Sequence, residues 1–493
     1  VKSHRRPRRW YAGIAAVAIA GIAAGATAVA VTGSASAETD GGHGWRSARL
    51  AVELKAAINK QNFAGVLDTT PPNSAAARRF APSAAEKDGM EPPVAQIAKQ
   101  LKALATASTA APIHQNPQLD AAVIELDRSG RPVSAADVVM SPQYPNGKIV
   151  PLDDNLSTNK VRFRAWDDTT WDTNNGLGTV DAFPGRENAP IDFMEPYPAS
   201  VFKVMVGFGI LQLVDKGQLS LDDTYAYDPT GAPAGSSCGG KKTKTVGQFF
   251  DEMITVSNNM SACAMTKLLM QRNAVTPLNQ QFADMGLPML QIKGERPADG
   301  GRWVDNIMGS LDTAKLFLIL NGTPGTLWKA PNGTPVNRSV LSDASRAYFQ
   351  KELGEQGLNQ VLSTTNWCGR AYPTPGIPQK IADRWVNPTT GTVTADGRVY
   401  GQDVRPCQAK AQVTFAHKTG LADTSGNDAG VVHSLPGKNG HNYIVVVNCN
   451  LGYRYVDPNR PADPAGIYAV QYSQKYGDLG LAIDKIVGAH HNG

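Results

Sequence analysis

Two apolar rhythms run along this chain, and they change over at definite places. Ala121-Ala122-Val123-Ile124-Glu125-Leu126 is strand-like, and Asp127-Arg128-Ser129-Gly130 supplies its turn. A long polar segment holding Trp166 and Trp171 follows and reads as loops and edge strands. Beyond Pro198 the period becomes helical, from Ala199 through Leu213, with Lys216-Gly217 suited to a helix end. Further helices are predicted from Val246 to Val256 and from Ser261 to about Gln271. After Lys410 strands return at Val413–His417, Ala429–His433 and Tyr443–Asn448, with a turn at Leu435-Pro436-Gly437-Lys438-Asn439-Gly440. A last helix is expected from about Ile467 to Val487. Strands at both ends with helices between them predict an α/β (α+β) fold in which the termini build one antiparallel sheet and the middle builds a helical lobe. A cleft between two such lobes is a natural site.

Three regions are expected: 1–37, 38–117 and 118–493. The middle one is rich in Ala, Pro and charge, with helical stretches near Ala48–Asn59 and Val94–Ala105, and reads as a helical prelude or linker. The first has a basic start, an apolar run from about Trp10 to Val31, and Ala35-Ser36-Ala37, which suits cleavage after Ala37. It reads as an export signal whose loss leaves no stable membrane span, placing the protein outside the cytoplasm. An uncleaved anchor is the competing reading, because the run is just long enough to span a bilayer. Arg8-Arg9 raises a twin-arginine route, and no Cys follows the cleavage site as a lipoprotein would need.

With 493 residues and 42% hydrophobic content, the chain can bury one large core or two. Its formal charge of +5 comes from the leader: taking Lys2, Arg5, Arg6, Arg8 and Arg9 from 48 basic residues leaves 43, equal to the 43 acidic ones. Nothing in that balance calls for a nucleic-acid partner. Five cysteines are present, Cys238, Cys263, Cys368, Cys407 and Cys449, so at least one thiol stays unpaired. Export permits disulfides, and Cys368 with Cys407 brackets a Pro/Gly-rich stretch suited to a staple; the pairing is otherwise open. No Cys/His spacing suggests a metal site, no cofactor is expected, and His490-His491 reads as a solvated tail.

The candidate chemistry lies in three short motifs. In Ser200-Val201-Phe202-Lys203, a Ser and a Lys three residues apart share one helix face. Ser200 needs a base to become a nucleophile, and Lys203, in an apolar setting and near another cation, can be held as a free amine. In Ser257-Asn258-Asn259, Ser257 would relay a proton to a leaving nitrogen and Asn259 would hold a substrate amide. In Lys418-Thr419-Gly420, Lys418 would attract a substrate carboxylate and help keep Lys203 neutral, and Thr419 adds a hydroxyl. Gly420 would let substrate lie along the strand, and the N–H of Leu421 would serve as an oxyanion donor. Matches by chance occur too: Ser157-Thr158-Asn159-Lys160 repeats the first pattern and Ser425-Gly426-Asn427 the second. Order and context single out the other set. His417 is taken as structural.

In this order the motifs resemble those of the serine beta-lactamase and penicillin-binding transpeptidase-like family, and class A beta-lactamases in particular. The resemblance runs from about Leu119 onward and includes Asp215 to Asp223, Met253-Ile254-Thr255-Val256 and Asn427-Asp428. It implies a glutamate on an omega loop that activates the deacylating water, and the matching position falls on Glu295. Glu295-Arg296-Pro297-Ala298-Asp299 lacks the family's usual Leu-Asn, Cys263 stands where a supporting Asn is usual, and Asn258 replaces an Asp. The resemblance implies a monomeric serine hydrolase that opens beta-lactam amides through a Ser200 acyl-enzyme. The alternatives are a D-Ala-D-Ala carboxypeptidase or penicillin-binding protein acting on peptidoglycan, and a non-catalytic cell-wall-binding protein.

Overall fold

The computed structural model describes residues 42–63, 117–167, 174, 176–368, 376–400, 402–422, 425–452 and 472–492. The expected leader, the helix near 94–105 and Trp171 lie outside them. All described residues belong to one compact unit, 42–493.

A six-stranded sheet is built from β1 (Leu119–Leu126), β2 (Pro132–Ser141), β3 (Tyr144–Ile149), β4 (Val413–Ala422), β5 (Ser425–Ser434) and β6 (Asn442–Cys449). Its order is β4-β5-β6-β1-β2-β3, and each neighbouring pair is antiparallel. Val123 faces Val445 across the β1–β6 junction, so the two ends of the domain meet in mid-sheet, as the patterning predicts. Alternation along β1 divides two cores: Ala122, Ile124 and Leu126 point into the helical lobe, while Leu119, Ala121 and Val123 point to the other face.

That other face corrects the boundary expected at 118. Helix α1 (Gly42–Gln61) carries Leu50, Ala51, Leu54, Ala57 and Ile58 on one stripe, and they pack with Val138, Val445 and the last helix in a single core. A buried Leu contributes about 1.5–3 kcal/mol, so α1 is part of the same folded unit and not a linker. The last helix, α8, runs from Tyr472 to Asn492, five residues beyond the end expected from the pattern. His490 is therefore no solvated tail. Its Nδ1 lies 2.5 Å from Glu125 Oε1 and its Nε2 2.6 Å from Glu53 Oε2, joining α8 to β1 and α1.

The helical lobe holds α2 (Lys203–Asp215), α3 (Val246–Thr255), α4 (Asn259–Gln271), α5 (Val275–Asp284), α6 (Ser310–Asn321) and α7 (Asp343–Gly354). Every residue of α2 from Lys203 to Leu213 is buried, making it the lobe's axis. Helix α3 begins with a reciprocal capping box between Thr245 and Gln248 and leads directly to the second motif.

Candidate functional site

Ser200 sits on a 3-10 turn, Ala199–Phe202, that feeds α2, rather than in the first turn of an α-helix. Ala199 just before it has φ +43°, a left-handed conformation rare for a residue with a side chain. The turn is fixed from both sides. Val201 and Phe202 are fully buried beneath it, whereas Ser200 is half-buried. From β5, Ser425 Oγ and Asn427 Nδ2 donate to the carbonyl of Tyr197 at 2.5 and 3.1 Å. The repeat of the second motif thus plays a structural part, fastening the chain that enters the nucleophile turn.

Lys203 is 0% exposed, and its Nζ donates to Ser257 O at 2.6 Å and Asn259 Oδ1 at 2.8 Å and lies 3.0 Å from Ser257 Oγ. Burial, and then the charge of Lys418, push its pKa well below the usual lysine range, while Asp396 opposes them. Ser257 reaches this position with φ +59°, a strain of about 1–3 kcal/mol for a non-glycine residue. Asn258 caps α4 by accepting from Ser261 N at 2.9 Å, a role open to any short polar side chain. The Asn259 side-chain oxygen, expected to face a substrate amide, is bonded to Lys203 instead.

Strand β4 is the edge of the sheet and carries Lys418, Thr419 and Gly420, all buried, with Leu421 half-buried. Lys418 Nζ donates to Thr419 O at 2.8 Å, and burial pushes it down to about 7 against the pull of Asp428. Gly420 serves the protein's own packing: a Cβ there would meet Pro198 O at 2.6 Å. His417 is buried between Asp428 Oδ1 at 2.7 Å and Asn359 Oδ1 at 2.8 Å, consistent with a structural role.

Glu295 lies on the loop between α5 and α6. Burial pushes it up to about 7, with Asp305 adding and its own backbone N–H, Asn306 and Arg302 opposing. Among the described residues no hydrogen bond joins it to Ser200, Lys203, Ser257 or Lys418. The loop is nonetheless firmly held. Arg296 forks onto Asp299, Ser236 Oγ donates to Asp299 at 2.7 Å, and Lys267 Nζ reaches Ala298 O at 2.7 Å. A disulfide joins Cys238 to Cys263, and Gly301 and Gly300 pass so close that a Cβ would fall 2.6 Å from Cys238 Sγ and 2.3 Å from Cys263 O. The loop's contribution to the site is Trp303, whose ring lies 4.9 Å from that of Phe202 and 5.9 Å from Lys203 Nζ. Sequence reasoning missed it, because ring stacking between a loop and a distant turn leaves no local pattern.

The second disulfide, Cys368–Cys407, closes the Pro/Gly-rich insertion, and Cys449 is a buried thiol that burial pushes up to about 12. Asp251, Glu352 and Glu355 bring carboxylate oxygens within 4.8 Å of one another, but Arg384 and Lys351 already pair with them. Ser157 of the repeated first motif accepts from Lys315 Nζ at 3.0 Å, remote in sequence from Ser200. No described helix is long and apolar enough to cross a membrane.

The three motifs converge, then: buried Lys203, three residues after Ser200, is bonded to Ser257, and Gly420 beside Lys418 lies against the Ser200 backbone. Residues 194–322 match the beta-lactamase enzyme family. This match takes in Ser200, Lys203, Ser257, Asn259 and Glu295 and stops before Lys418. The fold is mixed α/β, with an antiparallel sheet built from both ends of the domain. Among solved structures the chain is similar to PBP-A, with 15% identity and TM-score 0.40, covering 79% of this chain and 95% of that one. It is similar also to a mutant of PBP-A seen as its penicillin G acyl-enzyme, with 15% identity and TM-score 0.39, covering 80% and 96%. A beta-lactamase from Chitinophaga pinensis shares 20% identity at TM-score 0.36, covering 60% of this chain and 86% of that one. No curated protein matches the chain in sequence.

Proposed function

We propose that the protein is an exported serine hydrolase that opens beta-lactam amides through a Ser200 acyl-enzyme. The observation that carries this reading is the fully buried Lys203, held 3.0 Å from Ser257 Oγ three residues after Ser200. Neutral Lys203 takes the Ser200 Oγ proton as Oγ bonds to the carbonyl carbon. The carbon–nitrogen bond then breaks, and the proton passes from Lys203 through Ser257 Oγ to the leaving nitrogen. Lys418 anchors the substrate carboxylate, beside Thr419. Water then attacks the ester, releasing the acid and returning a proton to Ser200 Oγ. Residues 1–37 and two disulfides, which need an oxidising compartment, support export.

One observation favours a second reading, a D-Ala-D-Ala peptidase or penicillin-binding protein with a lasting lactam adduct. The hydrogen-bond partners of Lys203 are a carbonyl, a hydroxyl and an amide oxygen, with no carboxylate among them. Glu295, the candidate base for deacylation, has no hydrogen bond to Lys203 or either serine among the described residues, and its Oε1 is buried without a partner. The deciding experiment follows protein mass and colour with a chromogenic cephalosporin. Turnover that slows in Glu295→Gln supports the first reading, and a stable adduct on Ser200 supports the second. Absence of adduct and turnover with lactams and D-Ala-D-Ala peptides would sink both. Ser200→Ala abolishes either signal, whereas Ser157→Ala leaves it unchanged.

A further inference from the structure

The insertion closed by Cys368–Cys407 is fastened beside the second motif. Arg384 donates to Asp251 on α3 at 2.9 Å and also pairs with Glu355, and Trp385 Nε1 donates to Glu355 O at 2.7 Å. Nearby, Thr394-Ala395 pairs with Arg398-Val399 in a small hairpin. Ala395, 1% exposed, packs with Val256 and Leu358, and Val256 immediately precedes Ser257. Gly357 permits this approach, since a Cβ there would stand 2.8 Å from that of Ala395.

The hairpin turns on Asp396-Gly397, with φ +51° and +71°. Such a turn asks for Asn, Asp or Gly, so geometry would be served equally by a neutral Asn. The residue present is charged, and its side chain is 38% exposed. Arg398 lies 3.7 Å from it, and Glu252 and Lys203 are near enough to act on its charge. Glu252 is already engaged by Lys244 and by Ser261 Oγ at 2.6 Å. With Ala395 seated on Val256, the insertion thereby sets a partly exposed carboxylate next to the chain that carries Ser257. In the mechanism above, Ser257 is the residue from which the leaving nitrogen receives its proton.

We propose that the Asp396 hairpin selects substrates bearing a positive charge on the leaving portion of the scissile amide. This rests on the acylation of Ser200 set out above. A fixed cation there gains from Asp396, whereas a neutral group gains nothing. The selectivity should weaken in high salt, because the carboxylate is exposed.

The test measures acylation rates of Ser200 by two cephalosporins with the same acyl side chain, one with a pyridinium and one with an acetoxy group on the ring side. The wild-type rate ratio, cationic over neutral, is expected to fall about three- to five-fold in Asp396→Asn, the range of an exposed ion pair. It should fall further in Asp396→Lys. An unchanged melting temperature in Asp396→Asn keeps folding out of the comparison. The same ratio in wild type and Asp396→Asn overturns this inference alone. Failure of both probes to acylate wild-type Ser200 overturns the acylation reading, and this inference with it.

Discussion

A Cβ built on Gly420 would stand 3.0 Å from the backbone nitrogen of Ser200, so the edge strand and the nucleophile turn are in direct backbone contact. Gly420→Ala must push the two apart. Acylation is expected to fall about 10- to 100-fold, the cost of misplacing a reacting group by a fraction of an ångström to one ångström. Stability should fall by about 1–3 kcal/mol through overpacking. Acylation kinetics and urea melts measure the two separately, and a wild-type acylation rate in this variant would show that the contact does not set the geometry.

The proposed mechanism uses Lys418 as a cation, and burial pushes its pKa down to about 7. It is charged below that pH and loses its charge above it, so the second-order acylation rate should decline as pH rises through about 7. The same mechanism uses Lys203 as a free amine, so its own depressed pKa should set the acid limb. Lys418→Arg retains its charge across the alkaline range. Its rate at pH 9 relative to pH 6 should exceed that of the wild type, and an identical profile would remove Lys418 from the alkaline limb.

The Cys238–Cys263 bridge braces the loop that brings Trp303 onto Phe202. The double variant Cys238→Ser/Cys263→Ser should lose about 2–4 kcal/mol of stability and acylate more slowly. Mild reduction of the wild type should reproduce both losses, and a control bearing Cys449→Ala should keep the wild-type acylation rate. Full acylation activity in the double variant would mean that the loop holds its place without the bridge.

Buried acids give the fold its own pH response. Asp137 is 0% exposed, and burial, then Asp120, raise its pKa well above the usual carboxylate range. The folded protein therefore keeps a proton that the unfolded chain releases above about pH 4. Stability is lost as pH rises from there toward the folded pKa, by up to about 1.4 kcal/mol per pH unit for one such group. Asp137→Asn should flatten this slope and gain stability relative to wild type at pH 8. Parallel stability curves for the two proteins would count against it.

Much of this was legible in the sequence where local periodicity coincides with long-range packing. The strand-like apolar run at Ala121–Leu126 and the apolar α2 predict the sheet and the lobe axis, and the Ser200–Lys203 spacing places both residues on one helical face. Other features depend on partners far along the chain. Helix α1 reads as a prelude because the strands it covers come much later. His490 reads as a tail because Glu53 and Glu125 are invisible from its neighbours. Asn259 has the donors and acceptors to hold a substrate, and only the position of Lys203 shows where its oxygen goes. Ser425 and Asn427, a chance repeat by pattern, have their hydrogen bonds dictated by the Tyr197 carbonyl. Asp396 looks like an ordinary Asp-Gly turn until the insertion is seen to rest on Val256.

The meeting of β1 with β6 in mid-sheet also governs when this protein can exist as a folded molecule. Neither β1 nor the strand bearing Lys418 can be secured until β6 lies between their halves of the sheet. A ribosome therefore releases an incomplete sheet until almost the entire domain has emerged, and local helices can form long before the site does. Truncation before Asn442 should yield no partially active enzyme. Assembly of the reactive serine is thus a late, all-or-none event in the life of each chain.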